Sequence, residues 1–78
     1  MELNYIRVCG VNYVPRPKGV QKRDCYEGVF EPYCIITQMS NGRYKIEYED
    51  YFNEEFVLIA YPSGIQEIQY KKEKRLWN

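Results

Sequence analysis

Hydrophobic and polar positions alternate most regularly between Asn41 and Phe56, where Tyr44, Ile46 and Tyr48 fall on one face and Arg43, Lys45, Glu47 and Glu49 on the other. A period of two over this length predicts a strand with one face on the core and one in water. Asn41-Gly42 ahead of it is a turn signal. Tyr33 to Met39 forms the preceding strand, with Pro32 before it, where a missing donor is tolerated. A type I′ turn with Asn41 and Gly42 as central residues sets Ser40 opposite Arg43. Met39, Thr37, Ile35 and Tyr33 then share the face of Tyr44, Ile46 and Tyr48. A three-residue loop with Met39 opposite Arg43 puts Tyr33 and Ile35 with Glu47 and Glu49 instead, so the tight turn is preferred.

Upstream, Leu3 to Val14 is rich in β-branched and aromatic residues and reads as the first strand, with a bulge or bend at Gly10. Pro15-Arg16-Pro17-Lys18-Gly19 ends it. Val20 to Gly28 lacks periodicity and is a long loop or a short irregular strand. Downstream, Phe56 to Tyr61 is a continuous apolar run suited to a strand buried on both sides. Pro62-Ser63-Gly64 turns the chain, and Ile65 to Lys71 alternates as a fifth strand. A helix rivals it over residues 65–75, because Ser63 with Gln66 resembles a capping box and Lys71, Lys72, Lys74 and Arg75 suit a helix C-terminus. Leu76 and Trp77 are expected to fold back onto the domain. Five short strands and no long helix predict an all-β fold, a small five-stranded antiparallel SH3-like barrel that protects its edges by closing.

Length limits how this can be built. The 78 residues make a single domain, residues 1–78, and a chain this short buries only roughly 60% of its extended surface. Nine tyrosines exceed what such a core holds, so several reach the surface with their polar tips. Eleven basic and eleven acidic side chains cancel, which removes whole-molecule attraction to nucleic acid or an anionic membrane. Their order is uneven: residues 1–23 carry five basic and one acidic, residues 24–55 two and eight, residues 56–78 four and two. The basic ends pair with the acidic middle, or the middle is a surface for a cationic partner.

Cys9, Cys25 and Cys34 contain no Cys-x-x-Cys spacing, and the chain has no histidine, so no metal ion or other cofactor is expected. An odd cysteine count without a signal-peptide pattern fits a reducing intracellular, cytoplasmic setting; one disulfide plus a free thiol is the alternative. No apolar run approaches the roughly 20 residues of a membrane span. The usual catalytic constellations are missing too: no histidine base, phosphate loop or nucleophile elbow is present, and Glu47 with Glu49 reads as a solvated face. A non-enzymatic role is therefore expected.

A binding site is easier to assemble. Tyr48, Tyr51, Phe52 and Asn53 cluster at a strand end beside Glu49, Asp50, Glu54 and Glu55, and rings flanked by carboxylates attract a cation. Here Tyr48-Glu49-Asp50-Tyr51-Phe52-Asn53 resembles the third-strand motif of Tudor domains, Tyr-x-x-Tyr-x-Asn followed by acidic residues. The resemblance covers about 45 residues with gaps. It implies an SH3-like barrel whose aromatic cage takes methylated arginine or lysine, with Tyr48 and Tyr51 as walls, Asn53 as the amide beside them and Tyr13 as a further aromatic. The chain departs from the family pattern at Phe52, where glycine is usual, and near Glu31, where another cage aromatic is usual and Tyr33 or Phe30 would have to substitute. The leading expectation is recognition of a basic protein or peptide through Tyr13, Tyr48, Tyr51, Phe52 and Asn53, rimmed by Glu49, Asp50, Glu54 and Glu55. Two alternatives stand: nucleic-acid binding through Arg16, Lys18, Lys22 and Arg23, or a small inhibitor acting on a partner enzyme.

Overall fold

A computed structural model of the chain describes residues 2–21, 31–50 and 52–72. Within them the fold is all-β, with strands β1 (Leu3–Val8), β2 (Val11–Pro15), β3 (Tyr33–Gln38), β4 (Tyr44–Glu49), β5 (Glu55–Ala60) and β6 (Ile65–Tyr70). They form one open sheet in the order β5-β4-β3-β2-β1-β6. The expected first strand is two strands. Cys9 (φ 50°) and Gly10 (φ 76°) both take the left-handed conformation between the paired residues Val8 and Val11, so the chain reverses in a two-residue hairpin where a bulge or bend was expected. The sheet consequently has six strands, and it is mixed: β2 pairs β3 in parallel, Val14 with Tyr33 and Pro15 with Cys34. Residues 65–70 are strand, which settles the helix alternative for that part of the segment. Lys74, Arg75, Leu76 and Trp77 lie outside the described residues.

The Asn41-Gly42 turn has the backbone its residue types require, with φ of 60° and 74° and Arg43 N–H donating to Ser40 O at 3.3 Å. The register around it is not the preferred tight-turn one but that of the alternative set aside, with Met39 opposite Arg43 and Ile35 level with Glu47. Met39 N–H donates to Arg43 O at 2.7 Å, so Met39 and Ser40 together oppose Arg43, and the ladder continues as Gln38 with Tyr44, Ile36 with Ile46 and Ile35 with Glu47. One extra residue moves every β3 side chain to the other face. Cys34 and Ile36 join the core, and Ile35 is left 50% exposed.

One face of the curled sheet encloses the core. Ile6, Val8, Tyr13, Cys34, Tyr44, Ile46 and Ala60 are buried, and Leu3, Val11, Ile36, Tyr48, Leu58, Ile65 and Ile68 pack against them. Ile65 and Ile68 are three apart yet share that face, because their β1 partners Val8 and Ile6 are two apart: Gln66 is an inserted residue. Its side chain accepts a hydrogen bond from Gly10 N–H at 2.7 Å, tying the insertion to the β1–β2 turn. A matching irregularity at Asn4 brings Leu3 onto the face of Ile6. Two insertions in one strand pair increase twist and help the sheet wrap its core. No backbone hydrogen bond joins β5 to β6 among the described residues, so these are the two edges. Phe56 to Ala60 therefore belongs to an edge strand, not to one covered on both sides; Phe56 is 40% and Val57 62% exposed. Among the described residues no helix is long and apolar enough to cross a membrane.

Candidate functional site

Beyond β4 the chain turns through Asp50–Glu54. Asp50 N–H donates to Glu54 O (3.0 Å) and Asn53 N–H to Asp50 O (3.2 Å), while the Asp50 Oδ1 accepts from the N–H groups of both Phe52 (2.9 Å) and Glu54 (3.0 Å). Asn53 sits at φ 63°, which asparagine adopts more readily than most residues. The Asn of the Tyr-x-x-Tyr-x-Asn motif, with Asp50 at one of its open positions, thus has a local reason to be present: the two build the hairpin loop. Phe52 stands at its tip, 81% exposed, and Glu54 is exposed beside it. Tyr51 lies outside the described residues.

The turn length decides what faces Tyr48. Phe56 is its cross-strand partner, and the rings stack at 5.4 Å with 19° between their planes. Tyr13 approaches Tyr48 from the other side at 5.2 Å, tilted by 52°. Tyr13 is buried in the core, and burial first, then the hydrogen bond with Tyr48, pushes its phenol well above the ordinary value. The ladder Tyr13–Tyr48–Phe56 runs from the core to the surface. Of the expected aromatic residues it unites Tyr13 and Tyr48, and it adds Phe56, which was read only as part of an apolar run. Counting the β4–β5 loop from the Asx-type turn at Asp50 is the signal that would have paired Phe56 with Tyr48.

Where the outer face meets the exposed end of this ladder, the slipped register creates a cleft of about 200 Å³ lined by Arg16, Tyr33, Ile35, Glu47, Tyr48, Glu49, Glu55, Phe56 and Val57. Ile35 and Val57 flank Glu47 on either side, and Glu49 lies directly opposite Glu55. Like charges placed opposite each other on one face are destabilising. Lys45 Nζ lies 3.9 Å from a Glu47 oxygen, at the margin of an ion pair. Arg16 reaches the cleft because its N–H donates to Cys34 O at 2.9 Å, which extends the β2–β3 pairing one residue past β2. Of the expected acidic rim, Glu49 and Glu55 line this cleft, while Asp50 and Glu54 belong to the loop beside it. The basic-loop residues separate: Arg16 faces the acidic cleft, Arg16 and Lys18 also border a wider depression with Pro15, Pro17 and Gly19, and Lys22 and Arg23 lie outside the described residues.

Cys34 is buried, its thiol pushed up to about 12 mainly by that burial, and Cys9 is exposed. Among the described residues no group of three His, Cys, Asp or Glu side chains is arranged to hold a metal ion. No family model, no curated protein and no solved structure matches the chain.

Proposed function

We propose that the chain is a non-enzymatic binding module, a small SH3-like barrel in kind, that takes a basic segment of a partner protein into the outer cleft of β3, β4 and β5. The observation that carries this is the cleft itself, where Ile35, Tyr48, Phe56 and Val57 supply apolar surface and Glu47, Glu49 and Glu55 supply negative charge. Its volume of about 200 Å³ is below the roughly 300–1,000 Å³ typical of small-molecule sites, and suits one or two inserted side chains. A guanidinium or ammonium group there meets carboxylates beside the exposed end of the aromatic ladder, and it relieves the unfavourable opposition of Glu49 and Glu55. Methylation of that cation adds apolar contact with Tyr48 and Phe56 while the charge is kept. The barrel reading is supported by the single core to which all six strands contribute.

The test is an amide-resolved NMR titration with an arginine-rich peptide, unmethylated and dimethylated. Shifts centred on Tyr48, Glu49, Glu55, Phe56 and Val57 are expected. Neutralising the opposed pair (Glu49→Gln with Glu55→Gln) weakens binding by roughly two- to thirtyfold, the scale of two exposed charge interactions. Arg16→Ala removes the one cation among the cleft's lining residues and strengthens it. Absence of shifts in this region with either peptide overturns the reading.

A further inference from the structure

Native edge strands are normally defended by lysine, proline, bulges or a covering element. The β6 edge follows that rule, with an insertion at Gln66 and the polar residues Glu67, Gln69 and Lys71. The β5 edge does not: Glu55-Phe56-Val57-Leu58-Ile59-Ala60 has its one charge at the first position, and no described residue pairs with its outer side. Its backbone polarity can be assigned. Asp50 N–H donates to Glu54 O, and alternation from that pair points the N–H and C=O groups of Phe56, Leu58 and Ala60 toward β4 and those of Glu55, Val57 and Ile59 outward.

We infer that β5 is the contact by which two copies of this chain associate, pairing antiparallel about a two-fold axis at Leu58 to join two six-stranded sheets into one. The order of residues favours a second copy as the occupant. With Leu58 opposite Leu58, Val57 meets Ile59 of the second copy and Phe56 meets Ala60, so apolar side chains oppose apolar ones on both faces. The outward backbone groups of Val57 and Ile59 then pair reciprocally. Glu55 falls opposite Tyr61 of the second copy, whose ring has the Arg43 guanidinium held 5.9 Å from its centroid. The carboxylate that faces Glu49 within its own chain thereby gains a cation across the axis. Val57 and Tyr61, 62% and 55% exposed in the single chain, become covered. The seam shares Glu55, Phe56 and Val57 with the proposed cleft, and the inference is read without a peptide.

The experiment is sedimentation velocity of the full chain over a concentration series, with Val57→Pro and Val57→Lys as variants. The wild type is expected to approach twice its 9.5 kDa mass as concentration rises. Val57→Pro removes an outward donor and leaves the β4 ladder intact, because the Val57 N–H does not face β4. That variant is expected to remain a folded monomer. Val57→Lys keeps the backbone, places a charge on the apolar seam and raises the dimer dissociation constant at least tenfold. Leu58→Cys, with Cys9 and Cys25 changed to serine, is expected to form an interchain disulfide, since non-hydrogen-bonded antiparallel partners have Cα atoms roughly 4.5 Å apart. A wild-type chain that stays at its monomer mass up to millimolar concentration overturns the inference, as does a dimer unchanged by Val57→Lys.

Discussion

Neighbouring residues Ile35 and Ile36 offer the most direct test of how β3 is registered. Threonine at either position keeps the β-branched shape, so strand propensity changes little and the face decides the cost. At Ile36, packed against the core, the change removes apolar contact worth about 0.8 kcal/mol per methylene-sized group when fully buried, and it brings a hydroxyl into apolar surroundings at about 1–3 kcal/mol. Partial burial reduces the sum to about 2 kcal/mol. At Ile35, 50% exposed on the outer face, the hydroxyl stays hydrated and the cost is below about 1 kcal/mol. A domain of 78 residues has a total stability of about 4–12 kcal/mol, so both variants still fold. In a urea melt with a slope of about 1 kcal/mol per molar, Ile36→Thr lowers the midpoint by about 2 M and Ile35→Thr by less than 1 M, with slopes unchanged. If Ile35→Thr is the more damaging of the two, the inserted residue at the Asn41-Gly42 turn is wrong and the simple tight-turn register holds.

Further outcomes concern the turns and the β1–β6 seam. Gly42→Val forces a β-branched residue to φ 74° with its Cβ 3.2 Å from the Pro62 Cγ, and is expected to destabilise by more than about 1 kcal/mol in a denaturant melt. Asp50→Ala leaves the Phe52 and Glu54 N–H groups without their carboxylate acceptor and is expected to cost about 1–2 kcal/mol by the same assay. It should change basic-peptide affinity less than twofold, whereas a large loss of affinity would make Asp50 a ligand contact. The Glu67 carboxyl is held below its ordinary 4.5 by hydrogen bonds from the Tyr5 hydroxyl (2.5 Å) and the Gln69 amide (2.9 Å), and by Arg7. A depressed carboxyl pKa stabilises the fold fully above the unfolded value, and that contribution is lost as pH falls through the folded one. Thermal melts from pH 6 to pH 2 should therefore show a smaller acid-induced loss for Glu67→Gln than for wild type.

Strand existence was legible wherever one face is polar, as in β4, and so was the left-handed residue at Gly42, whereas Gly10 signalled an interruption but not the reversal that it makes. Register was harder to read because β3 is apolar on both faces: Tyr33 and Ile35 compete with Cys34 and Ile36, and alternation cannot choose between them. A single extra residue opposite Arg43 makes that choice and leaves no signature in hydrophobicity. The insertion at Gln66 is hidden in the same way, since Ile65 and Ile68 match neither strand alternation nor a core pair until Val8 and Ile6 are known to face them. Phe56 to Ala60 gave an ambiguous signal because a continuous apolar run records that both faces avoid water, not whether the covering surface comes from the same chain. In the site region, Tyr13 and Tyr48 were visible as rings at strand positions. The cleft was not, because Ile35, Glu49 and Val57 meet only through two cross-strand registers.

The β1–β6 seam also has a consequence for synthesis. Leu3 and Tyr70 are partners, and Lys71 N–H donates to Glu2 O at 2.8 Å, so the earliest strand is completed by the last one described. At roughly 5–20 residues per second, their appearance on the ribosome is separated by roughly 3–13 s. Hairpins form within microseconds, so β1–β2 and then β3–β4–β5 can assemble as they emerge. Through that interval β1 keeps one side of its backbone unpaired and Ile6 lacks Ile68. The nascent chain is a sheet with a missing outer strand, and its exposure to pairing with other chains is set by the time taken to translate from β1 to the end of β6.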